Sequence, residues 1–334
     1  MQKLIQELKT PYTLYVTPAH QPVTKEQFRI LAEGGMDFAL HPDFFHGGLE
    51  FVEQKFVAQL RKAEQDVGGA IVGERPHSGR WDSVRELPIW AERAGVQYDS
   101  ILGQKWWKSK PAYEGYWVGT GLPYSFIDPG SYRRLDVMEI PILFGDNDPF
   151  LQPRRYSVRY KPGAHKTFMS GRGQTEDEAF ETCRRLLDEA IEKYHTVVGY
   201  CWHPVYLAKT ELNLNAAYST DRHFRKCISY AKRRGVGLTG TNALNAFWRA
   251  RNKVRFQGVA WRPESLTAQF RLSSEASIDA LTLIAPLKLQ GKRARICVNG
   301  AAKQYVRADV LGQPQAMFTV DVVPGDVSIE IKYD

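Results

Sequence analysis

Two histidines and one aspartate lie within six residues of one another, at His41, Asp43 and His46. A short apolar run ends at His41, and a polar and aromatic loop that begins with Pro42 follows it. A buried strand that ends in a histidine is how α/β barrels present catalytic groups, and two imidazoles with a carboxylate can converge on a divalent metal ion. The alternative is a surface loop that contains two unrelated histidines.

Three more apolar runs end in side chains that packing alone does not require. Arg75 and His77 follow one run, Asp146 and Asp148 follow another, and His203 follows the third. Each group also has an explanation that involves no catalysis. Arg75 could be a surface cation, the two aspartates could form a turn, and His203 could be a core histidine whose hydrogen bonds are made within the protein. If the runs are strands of one barrel, all of these groups open onto the same face.

The elements that would position these residues alternate between strand and helix as far as about residue 250. This alternation predicts an α/β fold with a parallel sheet. An open parallel sheet would focus catalytic residues at the single point where its strand order reverses. Here residues of catalytic type follow several different strands, so we expect a closed, distorted (β/α)7-type barrel. The predicted strands are Tyr12–Val16, the run into His41, Ala70–Val72, Tyr98–Leu102, Val137–Phe144, Val197–Trp202 and Val236–Thr239.

Capping boxes mark the start of two predicted helices, with Thr24 and Gln27 at one and Thr175 and Glu178 at the other. The predicted helices begin at Thr24 and stop at Gly34, and then run from about Glu50 to Ala63, from Thr175 to Tyr194 and from Asp221 to Arg234. Between the fourth and fifth strands, residues 103 to 134 form a long loop that contains Trp106 and Trp107. A loop of this length in a compact domain is usually functional.

The pattern changes after about residue 252, where alternating runs of period two replace the helices. Asn299-Gly300 between two such runs is a hairpin signal. We therefore expect a barrel over residues 1–252 and a small all-β sandwich over residues 253–334. The sandwich could bind carbohydrate, pack on the barrel or mediate self-association, and its residues do not decide between these roles.

Composition bounds the class of protein. The chain has 334 residues, of which 43% are hydrophobic, so a sizeable core is available without disulfides. Cys183, Cys201 and Cys227 lie in apolar patterns, which predicts buried free thiols. The net charge is +8, yet no nucleic-acid-binding motif accompanies it, and a solvated helix face explains the basic residues after Asp221 better. With no signal peptide and no membrane-spanning run in the sequence, we expect a cytoplasmic protein.

Several of these segments together resemble the polysaccharide deacetylases, the NodB-like carbohydrate esterases with a distorted barrel. No single motif is specific, and their order and spacing carry the resemblance, which covers roughly residues 12 to 250. The segments are Leu40-His41-Pro42, Arg75-Pro76-His77-Ser78, Leu87 to Ser100, Ile140 to Asp148, and Trp202-His203-Pro204.

The resemblance implies a metal-dependent hydrolase that removes acetyl groups from a saccharide, with zinc as the foremost divalent metal. The family holds its metal with one aspartate and two histidines of one loop, which fall here on His41 and His46. These two are five residues apart where the family commonly has four, so His77 is a rival ligand. Arg75 matches the arginine of the family's third motif, and His203 matches its general acid.

Further roles follow from the same resemblance. The bound metal would activate water, and a carboxylate, Asp146 or Asp148, would take a proton from that water. The substrate would be a carbohydrate such as a surface-polysaccharide precursor. The residues expected to contact it are Asp43, Trp106, Trp107 and Trp202.

One motif of the family has no counterpart. The family places an Asp-Asp pair before the segment that matches Tyr12 to Thr17, and the residues ahead of Tyr12 contain no aspartate. Either the chain begins late, or Asp43, Asp146 or Asp148 takes the role, or the protein is a degenerate barrel that binds a glycan without turnover. Glycoside hydrolysis is a third reading, but it needs two carboxylates across a cleft.

Overall fold

The computed structural model describes residues 7–18, 23–45, 50–80, 82, 85–101, 121–146, 154–161, 164–170, 174–207 and 220–334. The chain divides into two compact units. The first contains residues 1–187 and 196–245, and the second contains residues 188–195 and 246–334. The second unit thus takes in a short segment that precedes it in the chain, which no linear reading of the sequence predicts.

The first unit is built on a mixed, mostly parallel sheet. Its strand order is β1-β2-β3-β4-β6-β5, and only β5 runs antiparallel to its neighbour. The elements up to this point of the chain are β1 (Tyr12–Val16), α1 (Lys25–Glu33), β2 (Met36–Leu40), α2 (Glu53–Val67), β3 (Gly73–Glu74), α3 (Glu86–Arg93), β4 (Tyr98–Asp99), β5 (Tyr124–Ile127) and β6 (Arg134–Glu139).

The chain from Phe144 to the start of the second unit's strands carries a second, two-stranded parallel sheet and a separate hairpin. Strands β7 and β10 pair with each other, and β8 pairs with β9. The elements are β7 (Phe144–Gly145), β8 (Arg154–Lys161), β9 (Ala164–Ser170), α4 (Glu176–Glu189) with a π-helical turn at Ala190–Tyr194, β10 (Tyr200–Cys201), α5 (Pro204–Leu207), α6 (Asp221–Arg233) and α7 (Thr241–Asn252). The end of α4 with its π-helical turn and the end of α7 belong to the second unit.

The core of the large sheet lies on the face that its helices cover. Leu40 of β2 is fully buried there and packs with Phe56 and Leu60 of α2 and with Trp90 of α3. Because successive residues of a strand point to opposite faces, the residue after Leu40 points away from this helix layer. His41 therefore lies on the opposite side of the sheet, with Arg75 beside it.

Local sequence signals position the helices as expected. Thr24 and Gln27 form a complete capping box at the start of α1. Thr175 and Glu178 exchange the same two hydrogen bonds ahead of α4. Asn299 and Gly300, both with positive φ, join two antiparallel strands and confirm the predicted hairpin. Each of these features depends on residues within a few positions of one another.

Strand predictions were less accurate. The predicted strand Ala70–Val72 is instead β3, three residues later, and the predicted Val137–Phe144 divides into β6 and β7. Val236–Thr239 is not a strand, although the chain just after it reaches β1, where the Thr241 amide donates to Thr13 Oγ1 at 2.8 Å. The described strands form separate sheets, so the predicted closed barrel is not seen.

The second unit is a β-sandwich. One sheet has the order β11-β12-β19-β15-β14 with β16 on β15, and the other has the order β13-β18-β17. Both sheets contribute to one apolar core, for example through Leu272, Ile296 and Phe318. Its strands are β11 (Arg255–Arg262), β12 (Thr267–Ser274), β13 (Ile278–Pro286), β14 (Lys288–Leu289), β15 (Lys292–Val298), β16 (Ala301–Lys303), β17 (Val306–Val310), β18 (Gln313–Val322) and β19 (Gly325–Tyr333).

Candidate active site

Asp146 and His203 form a tightly held pair at the ends of β7 and β10. Asp146 Oδ2 accepts a hydrogen bond from the His203 backbone amide at 2.8 Å, and Oδ1 lies 2.6 Å from His203 Nδ1. The Asp146 side chain is fully buried, whereas 35% of the His203 side chain is exposed. With Nδ1 bound to a carboxylate, proton transfer by the imidazole runs through Nε2. This is the arrangement that a general acid or base requires.

Arg75 brings a buried positive charge to the same place. Its Nε donates to the Ser100 carbonyl at 2.7 Å, Nη2 lies 3.2 Å from Ser100 Oγ, and Nη1 lies 3.1 Å from Cys201 Sγ. The guanidinium also stacks 4.0 Å above the Tyr15 ring. Only 8% of Arg75 is exposed. These contacts fix the guanidinium in one orientation beside the residue that precedes Trp202 and His203.

His41 ends β2 and contacts the same loop as Arg75. Its Nδ1 hydrogen-bonds to the Arg75 carbonyl, and its ring centroid lies 5.2 Å from that of His77. Burial, with the nearby charges of His77, Arg75 and His203, lowers the pKa of His41 to about 3. The ring is therefore neutral at pH 7, with Nδ1 donating to a carbonyl and Nε2 as the acceptor nitrogen.

Asp43 lies behind these histidines. Its side chain is fully buried, its Oδ1 accepts from the Phe45 amide at 2.7 Å, and the same oxygen lies 3.4 Å from His77 Nδ1. The structure shows that Asp43 contacts the backbone of its own loop and His77, and its expected contact with substrate stays a prediction.

A cavity of about 210 Å³ adjoins several of these groups. It is lined by His41 and Arg75, which follow β2 and β3, and by Cys201 of β10 and His203 after it. Tyr15, Trp202 and Phe224 contribute aromatic surface to the wall. Trp202 also packs edge-on against Phe224 with ring centroids 4.6 Å apart, so part of its surface is committed to the core.

The remaining predicted site residues lie outside the part of the chain that the structure describes. They are His46, Trp106, Trp107 and Asp148. Their roles stay predictions.

The predicted metal ligands do not form a compact set among the described residues. One group of three metal-binding side chains has all its donor atoms within 4.8 Å of one another, and it is Cys183, His223 and Cys227. His41, His77 and Asp43 do not reach this spacing, and the hydrogen bond from His41 Nδ1 to a carbonyl leaves Nε2 as the nitrogen that could bind a metal. The described residues of the His41 loop do not complete a three-ligand centre by themselves, and because His46 lies outside the described residues, the predicted ligand set stays a prediction.

Sequence reasoning also missed three buried acids. Glu74, Asp99 and Glu139 occupy matching positions on β3, β4 and β6, and each is at most 1% exposed. Burial raises the pKa of Asp99 to about 8, against the opposing effect of the Ser100 amide and Arg75. Burial, then the charges of Asp99 and Glu139, raises the pKa of Glu74 well above its ordinary value. The row lies on the helix side of the sheet, beside Leu40.

The basic residues of α6 are explained by ion pairs on its surface. Lys226 Nζ lies 2.6 Å from Asp177 and 3.2 Å from Glu176, and Arg222 also reaches Glu176. This supports the solvated helix face over a phosphate-binding patch. Within the described residues, no helix is long and apolar enough to cross a membrane.

Comparison with known proteins relates the chain by fold alone. No protein-family profile matches it, and no curated protein sequence does. A crystal structure described as a polysaccharide deacetylase from Mycobacterium smegmatis aligns with a TM-score of 0.51 and 17% identity, over 75% of this chain and 76% of the other. That of Puue allantoinase aligns with a TM-score of 0.50 and 15% identity, over 74% and 70%. The chain therefore shares the fold of these two solved structures, in agreement with the resemblance that its motifs show.

Proposed function

We propose that the protein is a hydrolase that removes acetyl groups from a saccharide, such as a surface-polysaccharide precursor. The observation that carries the proposal is the Asp146–His203 pair at the cavity shared with Arg75. Burying the carboxylate of Asp146 costs solvation energy. A buried carboxylate that holds a partly exposed imidazole is characteristic of sites that transfer protons. The fold of the deacetylase neighbours agrees with this chemistry.

The chain's own residues account for the proton movements. His203 Nε2 takes a proton from water as the water oxygen attacks the acetyl carbon, and then delivers that proton to the departing nitrogen or oxygen. Asp146 stabilises the imidazolium that forms between these two steps. The carbon–heteroatom bond breaks, and acetate and the free amine or alcohol are released.

Arg75 and the aromatic wall supply the remaining functions. The buried guanidinium favours the negative charge that develops on the carbonyl oxygen, because the low dielectric around it strengthens the attraction. Tyr15, Trp202 and Phe224 give the cavity flat apolar surfaces of the kind on which sugar rings pack. The family's metal would polarise the same carbonyl, but the described residues of the His41 loop do not complete its ligand set, so no step here depends on it.

The test is acetate release from a panel of N-acetylated and O-acetylated oligosaccharides. We expect turnover by the protein and a loss of roughly 10²–10⁴-fold in kcat for His203→Asn. His195→Asn is the matched control, since His195 belongs to the second unit and asparagine tolerates its positive φ. Full activity in His203→Asn would overturn the proposed role of the pair.

A glycan-binding protein without turnover is the second candidate. It is favoured by one observation: among the described residues, His41, Asp43 and His77 do not bring three donor atoms within 4.8 Å of one another. Calorimetric titration of the same oligosaccharides discriminates the two candidates. Binding with no acetate release over long incubation would support the second candidate and contradict the first.

A further inference from the structure

A second set of reactive side chains lies outside the cavity, between two helices of the first unit. Cys183 comes from α4, and His223 and Cys227 come from α6. The Cys183 and Cys227 sulfurs lie 3.6 and 3.7 Å from His223 Nε2. The three residues are only 2%, 1% and 5% exposed, in the order Cys183, His223 and Cys227. Neither the cavity chemistry nor the resemblance to deacetylases uses them.

Helix geometry explains how the set arises. His223 and Cys227 are four residues apart on α6, so their side chains lie one above the other on the same face. Cys183 is presented by the buried face of α4, together with Leu186 and Leu187. Packing of the two apolar faces therefore brings both sulfurs to one imidazole nitrogen.

We propose that Cys183, His223 and Cys227 bind a zinc ion. Zinc binds thiolate sulfur at about 2.3 Å and imidazole nitrogen at about 2.05 Å, and at the tetrahedral angle these bonds place the two donors about 3.6 Å apart. The sulfur–nitrogen distances of 3.6 and 3.7 Å match this value without any movement of the helices. Three ligand atoms are thus spaced closely enough for zinc, and three is the number of protein ligands in a zinc site that keeps one position open.

Charge favours a divalent ion over a monovalent one. Zn²⁺ bound by two thiolates and a neutral imidazole has no net charge. Copper(I) at the same site would leave one net negative charge in a buried, aromatic environment, which costs solvation energy. Zinc is also the ion for which thiolate and imidazole ligands are typical.

The site lies directly behind the proposed catalytic pair. The His223 ring centroid is 5.7 Å from that of Phe144, two residues before Asp146, and 5.5 Å from that of Trp202, next to His203. Thr220, at the start of α6, contacts Asp146 Oδ2 at 3.4 Å. A metal that joins α4 to α6 would fix the elements against which β7 and β10 pack.

The test is titration of the metal-free, reduced full-length chain with cobalt(II), whose thiolate complexes absorb in the near ultraviolet. We expect one equivalent to bind, with a thiolate-to-cobalt band that one equivalent of zinc abolishes. Zinc at 100-fold excess over its dissociation constant should stabilise the fold by about 2.7 kcal/mol in chemical denaturation.

Variants locate the ion. Cys183→Ser and Cys227→Ser should lose the band and bind zinc at least tenfold more weakly, while Cys297→Ser and His41→Ala keep both. Circular dichroism shows whether a variant that has lost the metal is still folded. The wild-type titration alone would overturn the proposal if no thiolate band appears, since the three residues are then a hydrogen-bonded thiol cluster. Retention of the band in both cluster variants, or its loss in His41→Ala, would overturn it equally.

Discussion

Asp146 holds His203 at two points, the backbone amide and the ring nitrogen Nδ1, at 2.8 and 2.6 Å. The two residues are 57 positions apart in the chain and follow the neighbouring parallel strands β7 and β10. Because both oxygens of the carboxylate are used, the position and the orientation of the imidazole are fixed together. The carboxylate itself is buried and acts through the histidine.

The first prediction concerns this carboxylate. Asp146→Asn keeps the shape of the side chain but removes the charge that stabilises the imidazolium. We expect kcat for acetate release to fall roughly 10²–10⁴-fold with a small change in KM. Asp279→Asn, an exposed change in the second unit, should leave both parameters unaltered; an unchanged kcat in Asp146→Asn would refute the assignment.

The second prediction concerns the close approach of β3 and β4. A Cβ atom on Gly73 would lie 1.9 Å from Tyr98 Cζ. The Tyr98 ring is fully buried, and its hydroxyl hydrogen-bonds to Asn242 at 2.7 Å and to Thr241 at 3.0 Å. The ring therefore cannot move away without losing these bonds.

We expect Gly73→Ala to lower the free energy of unfolding by roughly 2–3 kcal/mol in urea denaturation. Gly237→Ala is the matched control, because a Cβ there meets nothing within 4 Å. Equal stability of the two variants would show that the strands are spaced more widely than the Gly73–Tyr98 contact requires.

The third prediction concerns stability in acid. The pKa of His41 is lowered from 6.5 to about 3 by burial and by neighbouring cationic groups. Between these two pH values, His41 is therefore neutral in the folded chain and protonated in the unfolded chain. Unfolding thus takes up a proton between about pH 6.5 and 3, and the stability that His41 contributes is lost as the pH falls through this window.

In His41→Gln, the decline of stability between about pH 6.5 and 4 should be shallower by up to about 1.4 kcal/mol per pH unit. Denaturant melts at several pH values measure this slope. His195→Asn should keep the wild-type slope. Parallel curves for wild type and His41→Gln would mean that the histidine is solvated.

The fourth prediction concerns Asp99, whose contribution to stability depends on pH in the opposite direction to that of His41. Burial raises the pKa of Asp99 from 3.8 to about 8, so the folded chain holds a proton that the unfolded chain releases. The stability that this protonated form contributes is present below pH 3.8 and is lost as the pH rises towards 8. Within the described residues, neither carboxylate oxygen of Asp99 has a hydrogen-bond partner.

Asp99→Asn should therefore stabilise the fold relative to wild type at about pH 8, and by less at about pH 5. Chemical denaturation at the two pH values measures the difference, with Asp279→Asn as the exposed control. A gain that is the same at both pH values would contradict the shift in pKa. Destabilisation at the higher pH would show that the charged carboxylate is satisfied in the folded state.

Much of the secondary structure could be predicted because its signals are local. The capping boxes at Thr24 and Thr175 join residues three positions apart, so sequence spacing is enough to specify them. His41 and Arg75 could be placed at strand ends for the same reason, since each follows a short apolar run. Strand bounds were less accurate because hydrogen bonding to a neighbour, and not the apolar run itself, decides where a strand begins. Val236–Thr239 is apolar yet joins no described sheet.

The pairing of groups from distant segments was decided by the tertiary structure. The sequence determined that His203 follows a strand, but the packing of β7 beside β10 decided that Asp146 is its partner. The His223 and Cys227 spacing on one helix was visible in the sequence, whereas the approach of Cys183 was not. The period of the apolar residues indicates which face of a helix or strand is buried. Which side chains meet there depends on how the faces pack, and that is a property of the whole fold.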